Sequence, residues 1–516
     1  MEVTNNNLVV TTLILTSVAY MIWKVVKFVW LKPKSIEKWL RQQGVKGNPY
    51  KPPLGDVRDL ISLTKSLLLL PIHFSDDPLP RVAPYIYHML QKYGKMCFIW
   101  IGPIPWLITT DPEKIKQVLT RYEDFQKPDH PITQILMVGL YGQEGDTWAK
   151  HRKIINPAFH LDKLKRMLHT MYESCKIMTN SWDDEVSKEG VAEIDVWPFL
   201  ESLAGDVISR AAFGSSYEEG KIIFDLQLEH VNLIMKNPQP SNYIPGWRFL
   251  PTKKNKRAKE IGRQVEGILT RMIESRKKEM EAGESTKDDL LGLLLESSTT
   301  HGNEKGTFLT TKEVVDECKL FYLAGSETTL GLFAWTLIML SRYPIWQDRA
   351  RSEVLQVFGN DEVPSFDRLS RLKIITMILH EVLRLYSPAY MLIRKVHKDT
   401  KLDELIIPAG TEILMPLCVM HQDPNLWGQD SKEFNPERFS EGISKATKGQ
   451  AVYFPFSTGP RVCVGQNFSI LEAKLVLANI LQRFSLELSP NYVHAPCALL
   501  TMKPQHGVNL LLRKLQ

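Results

Sequence analysis

The sequence predicts a mainly α-helical protein with a smaller β-rich part, preceded by one N-terminal transmembrane helix. Three observations carry this. Leu8 to Trp23 is an uncharged, mostly apolar run. Residues from about 145 to 385 are helical in character, and segments rich in glycine and proline with short extended runs lie on either side. At 44% hydrophobic and 24% charged over 516 residues, the composition suits a protein with a large core.

The apolar N-terminal run continues past Lys24 and Lys27 through Val25, Val26, Phe28, Val29, Trp30 and Leu31. Roughly 16 to 24 such residues span a bilayer when the lysines snorkel. A cleaved signal peptide is the rival reading, since Ser17-Val18-Ala19 loosely resembles a cleavage site. The leader MEVTNNN has no positive charge, however, and apolar residues continue beyond Ala19. Residues 1–31 are therefore read as an uncleaved membrane anchor. Lys32, Lys34, Lys38 and Arg41 follow it, which places the rest of the chain in the cytoplasm. Residues 32–56 are basic and contain the adjacent Pro52 and Pro53, and are expected to form a hinge. Residues 57–516 show no further domain boundary and are expected to form one catalytic domain.

Within that domain, Lys95 to Thr110 reads as two strands around the Gly102-Pro103 turn. Arg257 to Glu281 reads as a charged amphipathic helix, and Gln466 to about Phe484 as a late helix. Val314 to Arg342 reads as a long apolar helix broken at Ala324-Gly325. Gly283 to Asp289 and Ser297 to Gly306 are expected to be exposed loops. The net charge of +6 and pI near 8.7 suit a membrane surface or an acidic protein partner, and are too weak and dispersed for nucleic acid. The six cysteines, at 97, 175, 318, 418, 463 and 497, include no C-x-x-C pair. This argues against a disulfide framework or zinc site and for buried apolar roles.

One cysteine stands apart. Phe456-Ser-Thr-Gly459-Pro-Arg461-Val-Cys463-Val-Gly465 lies just before a helix. Its five fixed positions, F-x-x-G-x-R-x-C-x-G, would arise by chance on the order of once in 10,000 such chains. Gly459 and Gly465 let backbone turn sharply and approach a flat cofactor. Amides at the helix start can stabilise a thiolate that binds a metal, and Arg461 offers a cation to a cofactor carboxylate. The bland alternative is a structural cysteine beside a glycine turn.

This segment resembles the haem-binding loop of cytochromes P450. The resemblance implies haem b with Cys463 as the axial thiolate, and the P450 fold. Ala324-Gly325-Ser326-Glu327-Thr328-Thr329 resembles the family's oxygen-activation motif. The small residues 324 and 325 are expected to leave room for dioxygen, and Glu327 and Thr328 to relay protons. Glu381-Val-Leu-Arg384 is by itself a common pattern, but Pro436-Glu-Arg438-Phe439 follows. In the family the three charged residues form a buried structural triad. Trp148 and Arg152, four apart on a helix, resemble the pair that reaches the haem propionates; an exposed basic helix is the alternative. Arg394 resembles a further propionate-binding arginine.

The likeness covers essentially the whole chain. Gly47-Asn-Pro-Tyr50, Asp124-Phe-Gln-Lys-Pro128, the run Trp148 to His160 and Ile244 to Pro251 resemble one plant clan in particular. It contains secologanin synthase, triterpenoid oxidases and hydroxylases that inactivate brassinosteroids and gibberellins. The resemblance implies oxidation of a bulky lipophilic terpenoid, triterpenoid or iridoid, with a plant hormone as the alternative substrate. It also implies electrons from NADPH–cytochrome P450 reductase and an endoplasmic reticulum membrane location, since no Rossmann or flavin motif is present. A non-oxygenating haem-thiolate isomerase or dehydratase, or a haem carrier or sensor, would not need Glu327-Thr328. Residues 126–145, Phe321, Ala324, Ala389 to Ile393 and Leu500 to Met502 are expected to line the pocket. Tyr390 and Met391 depart from the clan's commoner two-proline pattern.

Overall fold

The architecture follows from one helix, Thr311–Arg342. Thr310 and Glu313 form a reciprocal capping box at its start, and Pro344 stops it after Arg342. Most of its side chains are buried, and the helices Leu161–Val186, Trp197–Phe213, Lys373–Leu385 and Gln466–Arg483 share its core. The computed structural model describes residues 2–130, 135–186, 190–214, 217–235, 250–283, 289–299, 308–359 and 365–515. The run 244–251 and the two loops expected near 283–289 and 297–306 lie mostly outside them.

The central helix is continuous, without the expected break at Ala324-Gly325. The hydroxyls of Ser326 and Thr328 donate to the carbonyls of Tyr322 and Ala324, both at 2.7 Å, and Thr329 donates to Gly325. These back-bonds keep the local carbonyls satisfied. Residues 324–328 are nevertheless the partly exposed stretch between buried turns.

The larger sheet runs in the order β1 (Lys46–Gly47), β2 (Met96–Ile101), β3 (Ile104–Thr109), β9 (Glu412–Met415), β6 (Leu392–Val396), β4 (Phe125–Gln126). The β2–β3 hairpin matches the sequence expectation, turning at Gly102 with φ of 59°. β10 (Phe484–Leu488) pairs with β13 (Asn509–Lys514), which pairs with β5 (Val191–Asp195). β7 (Thr400–Leu402) and β8 (Leu405–Ile407) form one small hairpin, β11 (Pro496–Ala498) and β12 (Met502–Pro504) another. The fold is mainly α with a smaller β part. Helices Lys253–Ala282 and Gln466–Arg483 fall where expected.

At the N-terminus the chain is helical from Val9 to Gln42, and this helix is long and apolar enough to cross a membrane. Residues 32–56 do not form the expected hinge. Helix Lys32–Gln42 buries Ile36 and Leu40 against the sheet, and the Trp39 indole donates to the Ile406 carbonyl at 3.2 Å. Asp56 accepts from the Trp100 amide at 2.8 Å, and Tyr50 packs on the Trp100 ring at 4.8 Å. β1 pairs in parallel with β2, and a Cβ at Gly47 would lie 2.3 Å from the Phe98 carbonyl. The prolines end helix, but the apolar residues around them have a sheet to bury against.

If this segment belongs to the folded body, Leu40→Ala lowers stability by roughly 2 to 5 kcal/mol, the usual cost of truncating a fully buried leucine. Chemical denaturation of the detergent-solubilised full chain measures it. An unchanged midpoint would restore the hinge.

Candidate active site

Cys463 sits on the loop leading into helix Gln466–Arg483, its amide donating to the Phe456 carbonyl at 2.9 Å. That bond closes the loop. Gly459 has φ of 72°, and a Cβ there would come within 2.8 Å of the Leu119 carbonyl. Only glycine fits. Gly465 differs from expectation: its φ is −88°, and its nearest protein atoms lie at ordinary contact distance. Its amide matters more, because it and the Arg152 charge favour the Cys463 thiolate. Burial is the larger influence and raises the thiol's pKa. Cys463 is enclosed by protein yet has accessible surface, unlike the five other, buried cysteines. Phe321, expected in the pocket, stacks on Phe159 at 5.6 Å, and Phe159 packs on Phe468 at 6.2 Å.

Beside this loop the structure gathers positive charge. The Arg461 guanidinium lies 4.3 Å from the centre of the buried Trp148 ring and pairs with Glu144. Arg394 is almost fully buried and donates to the Ile393 carbonyl at 2.9 Å. Lys127 Nζ lies 3.5 Å over the Tyr141 ring, while its amide donates to Glu144 at 2.8 Å. Arg152 donates to the Val462 carbonyl at 2.9 Å, so it lies on the thiolate loop itself. Among the described residues, no carboxylate forms an ion pair with Lys127, Arg152 or Arg394. Burial holds the Lys127 pKa well below the ordinary lysine range, and Arg394 and Arg461 add to this. Burial likewise lowers Arg461 to about 10 against the opposing pull of Glu144. Unbalanced enclosed cations of this kind call for an anion. The two propionates of a haem on Cys463 fit that requirement.

Lys127, Tyr141 and Glu144 fall in the 126–145 run expected to line the pocket, without individual roles, and His151 carries no expectation from sequence. Lys127 lies in the run Asp124 to Pro128, just inside that stretch. It is held in place because the next residues are clamped to the sheet: Asp129 pairs with Lys395, and His130 with Glu412 at 2.7 Å. His151 is fully buried and meets Glu317 at 2.5 Å and Glu313 at 3.2 Å. Together with buried Trp148, this excludes an exposed basic helix at Gly145–Ile155. Gly139, with φ of 66°, closes over Glu317, where a Cβ would lie 2.8 Å from its Oε2.

Glu381 and Arg384 form a two-point ion pair at 2.7 and 2.8 Å, both fully buried. Arg438 lies 3.7 Å from Glu381 and 2.7 Å from Asp430. On the central helix, the Glu327 carboxylate accepts from Thr501 at 3.0 Å and Lys503 at 3.3 Å. It does not bond Thr328, whose hydroxyl goes to Ala324. Gly325 also departs from expectation: a Cβ there would meet Ile208 at 2.8 Å, so its smallness serves helix packing. Ala324 remains partly exposed.

A cysteine thiolate loop, a cationic edge and a long helix with a partly exposed small-residue turn define a haem-thiolate protein. The family model for cytochrome P450 matches residues 81–508. Cytochrome P450 72A397 of Kalopanax septemlobus is 53% identical over 497 residues, 96% of this chain and 95% of the relative. The 7-deoxyloganic acid hydroxylase of Catharanthus roseus is 50% identical over 96% of each chain. The 11-oxo-beta-amyrin 30-oxidase of Glycyrrhiza uralensis is 50% identical over 98% of each. The chain belongs to the cytochrome P450 family. It is a P450 monooxygenase, which takes electrons from a redox partner and binds lipophilic substrates.

Two outcomes follow from the charges. Lys127→Met weakens haem retention by about tenfold, the scale of one charge-assisted hydrogen bond, while the apoprotein folds normally. Haem transfer to apomyoglobin reads this, and unchanged retention would remove Lys127 from the cradle. Burial pulls His151 down, but its bonds to Glu317 and Glu313 outweigh this and raise its pKa above 6.5. The folded state thus binds a proton the unfolded state releases. The stabilisation is complete below 6.5 and declines as pH rises through the raised value. Melting curves of the wild type and His151→Gln should converge on that rise; parallel curves would contradict it.

Proposed function

We propose that this enzyme hydroxylates, or oxidises further, a lipophilic terpenoid of the triterpenoid or iridoid class. Identity near 50% along the whole chain to a triterpenoid oxidase and an iridoid hydroxylase carries the reading. Haem b, bound through Cys463, would supply the iron at which dioxygen is activated. Cys463 would bind it as thiolate, helped by Arg152 and the Gly465 amide. Arg461, Arg394 and Lys127 would hold the propionates, with Trp148 packed beneath Arg461. Phe456 and Gly459 shape the loop. Glu327 delivers protons towards the reaction site and the Thr328 hydroxyl hands them on, once it exchanges its bond to Ala324. Electrons come from NADPH through NADPH–cytochrome P450 reductase. The N-terminal helix anchors the chain in the endoplasmic reticulum membrane, with the catalytic body in the cytoplasm.

Cys463→Ala removes the thiolate-type reduced-CO spectrum; a normal spectrum from it would refute the ligand assignment. Thr328→Ala keeps that spectrum but diverts electrons from product to peroxide, which unchanged coupling would contradict. The substrate is tested in yeast microsomes with a plant reductase, fed triterpenoids, iridoids and brassinosteroids. A product one oxygen heavier from either of the first two classes is expected. Product from brassinosteroids alone would overturn the terpenoid reading.

A further inference from the structure

The hairpin β11–β12 touches two things at once. Leu500, at its tip, packs into an apolar cluster with Leu323 of the central helix, Leu136 and Met137, and Val231 and Ile234 of helix Tyr217–Met235. The next residue, Thr501, bonds Glu327, which lies one helical turn beyond Leu323 on the same face. Lys503 completes the grip at 3.3 Å. The hairpin is tied down behind this tip. The Met502 amide donates to the Pro388 carbonyl at 3.1 Å, and the Trp335 indole to the Met502 carbonyl at 3.2 Å. The Tyr390 hydroxyl donates to the Leu499 carbonyl at 3.3 Å. Tyr390 thus joins the segment after the Lys373–Leu385 helix to the tip.

We propose that Thr501 and Lys503 are positioning residues that latch Glu327 away from Thr328, and that displacement of Leu500 from the apolar cluster releases it. The inference rests on reading Glu327 as the distal acid. It makes proton delivery sensitive to what occupies the apolar space beside Leu500. In productive turnover, R–H, dioxygen, two electrons and two protons give R–OH and water. Without substrate, the same relay drives a futile cycle in which dioxygen, four electrons and four protons give two molecules of water. In both, NADPH supplies the electrons through the flavoprotein reductase, and Glu327 passes protons drawn from solvent. The latch slows the second, wasteful reaction.

The test uses full-length holoenzyme with reductase and no substrate. Thr501→Val and Lys503→Met should each raise NADPH oxidation and water formation by about fivefold, the low end of a coupling effect between sites. Leu500→Trp, which forces the tip out of the cluster, should do the same. Each gain should vanish when Glu327→Gln is added. A gain that persists with Glu327→Gln comes from water entering a loosened pocket and overturns the latch. No gain, with Glu327→Gln alone still slowing turnover, also overturns it but leaves Glu327 as the acid. Glu327→Gln indistinguishable from wild type in rate and solvent isotope effect would instead sink the underlying reading. Amide hydrogen exchange provides a readout independent of turnover. Residues 496–504 should exchange faster in Glu327→Gln than in the wild type, and equal exchange would show that no tie exists.

Discussion

Glu381 and Arg384 carry opposite charges with no water around either. Burying such a pair is tolerable only when every remaining donor and acceptor is satisfied, and removing one partner typically costs about 3 to 5 kcal/mol. The surrounding chain is arranged accordingly. Arg384 Nη1 donates to the carbonyls of His421 at 2.8 Å and Ser431 at 2.5 Å, and Nη2 to that of Glu433 at 3.1 Å. Glu381 accepts from the Asn435 amide at 3.0 Å. One ion pair thereby fixes a loop reaching from residue 421 to 438. His421, kept neutral by burial with a pKa near 3, accepts from the Phe454 amide at 3.1 Å. From there the chain runs directly into the cysteine loop. The position of the Cys463 loop is inherited from the ion pair.

The two sides of the site use charge in opposite ways. Around Lys127, Arg394 and Arg461, three cations are crowded together and only Arg461 has an ion-pair partner, Glu144, which is unfavourable until a further anion arrives. The apoprotein is prepared for its cofactor at the expense of its own electrostatics. On the distal side the Glu327 carboxylate already has a lysine and a threonine. Its chemistry depends on losing those partners rather than finding new ones. His151 and Glu317 join the two sides, because one stands on the helix bearing Trp148 and Arg152 and the other on the central helix.

Much of this was legible in the residue order. The cysteine loop combines five fixed positions, and chance rarely assembles them. The long helices are visible because apolar residues recur at helical spacing. The misjudged places are those where a residue type has two physical uses. Gly325 looked like space for a ligand and is space for Ile208. Ala324 and Gly325 read as a break, yet the hydroxyls of Thr328 and Thr329, four residues on, bond their carbonyls. Pro52 and Pro53 stop a helix, which is different from loosening a chain. Nothing local reveals that Tyr50 and Leu40 find Trp100 and the sheet.

The sequence by itself determined the family, the candidate cysteine, the helical class and the membrane-length N-terminal helix, because each depends on residue types at short, fixed spacings. Only the tertiary structure decided which charges meet. Lys127, Arg394 and Arg461 come from three distant segments, as do Glu327, Thr501 and Tyr390. Electrostatic contacts between such groups depend on distance in space, and spacing along the chain carries no record of it.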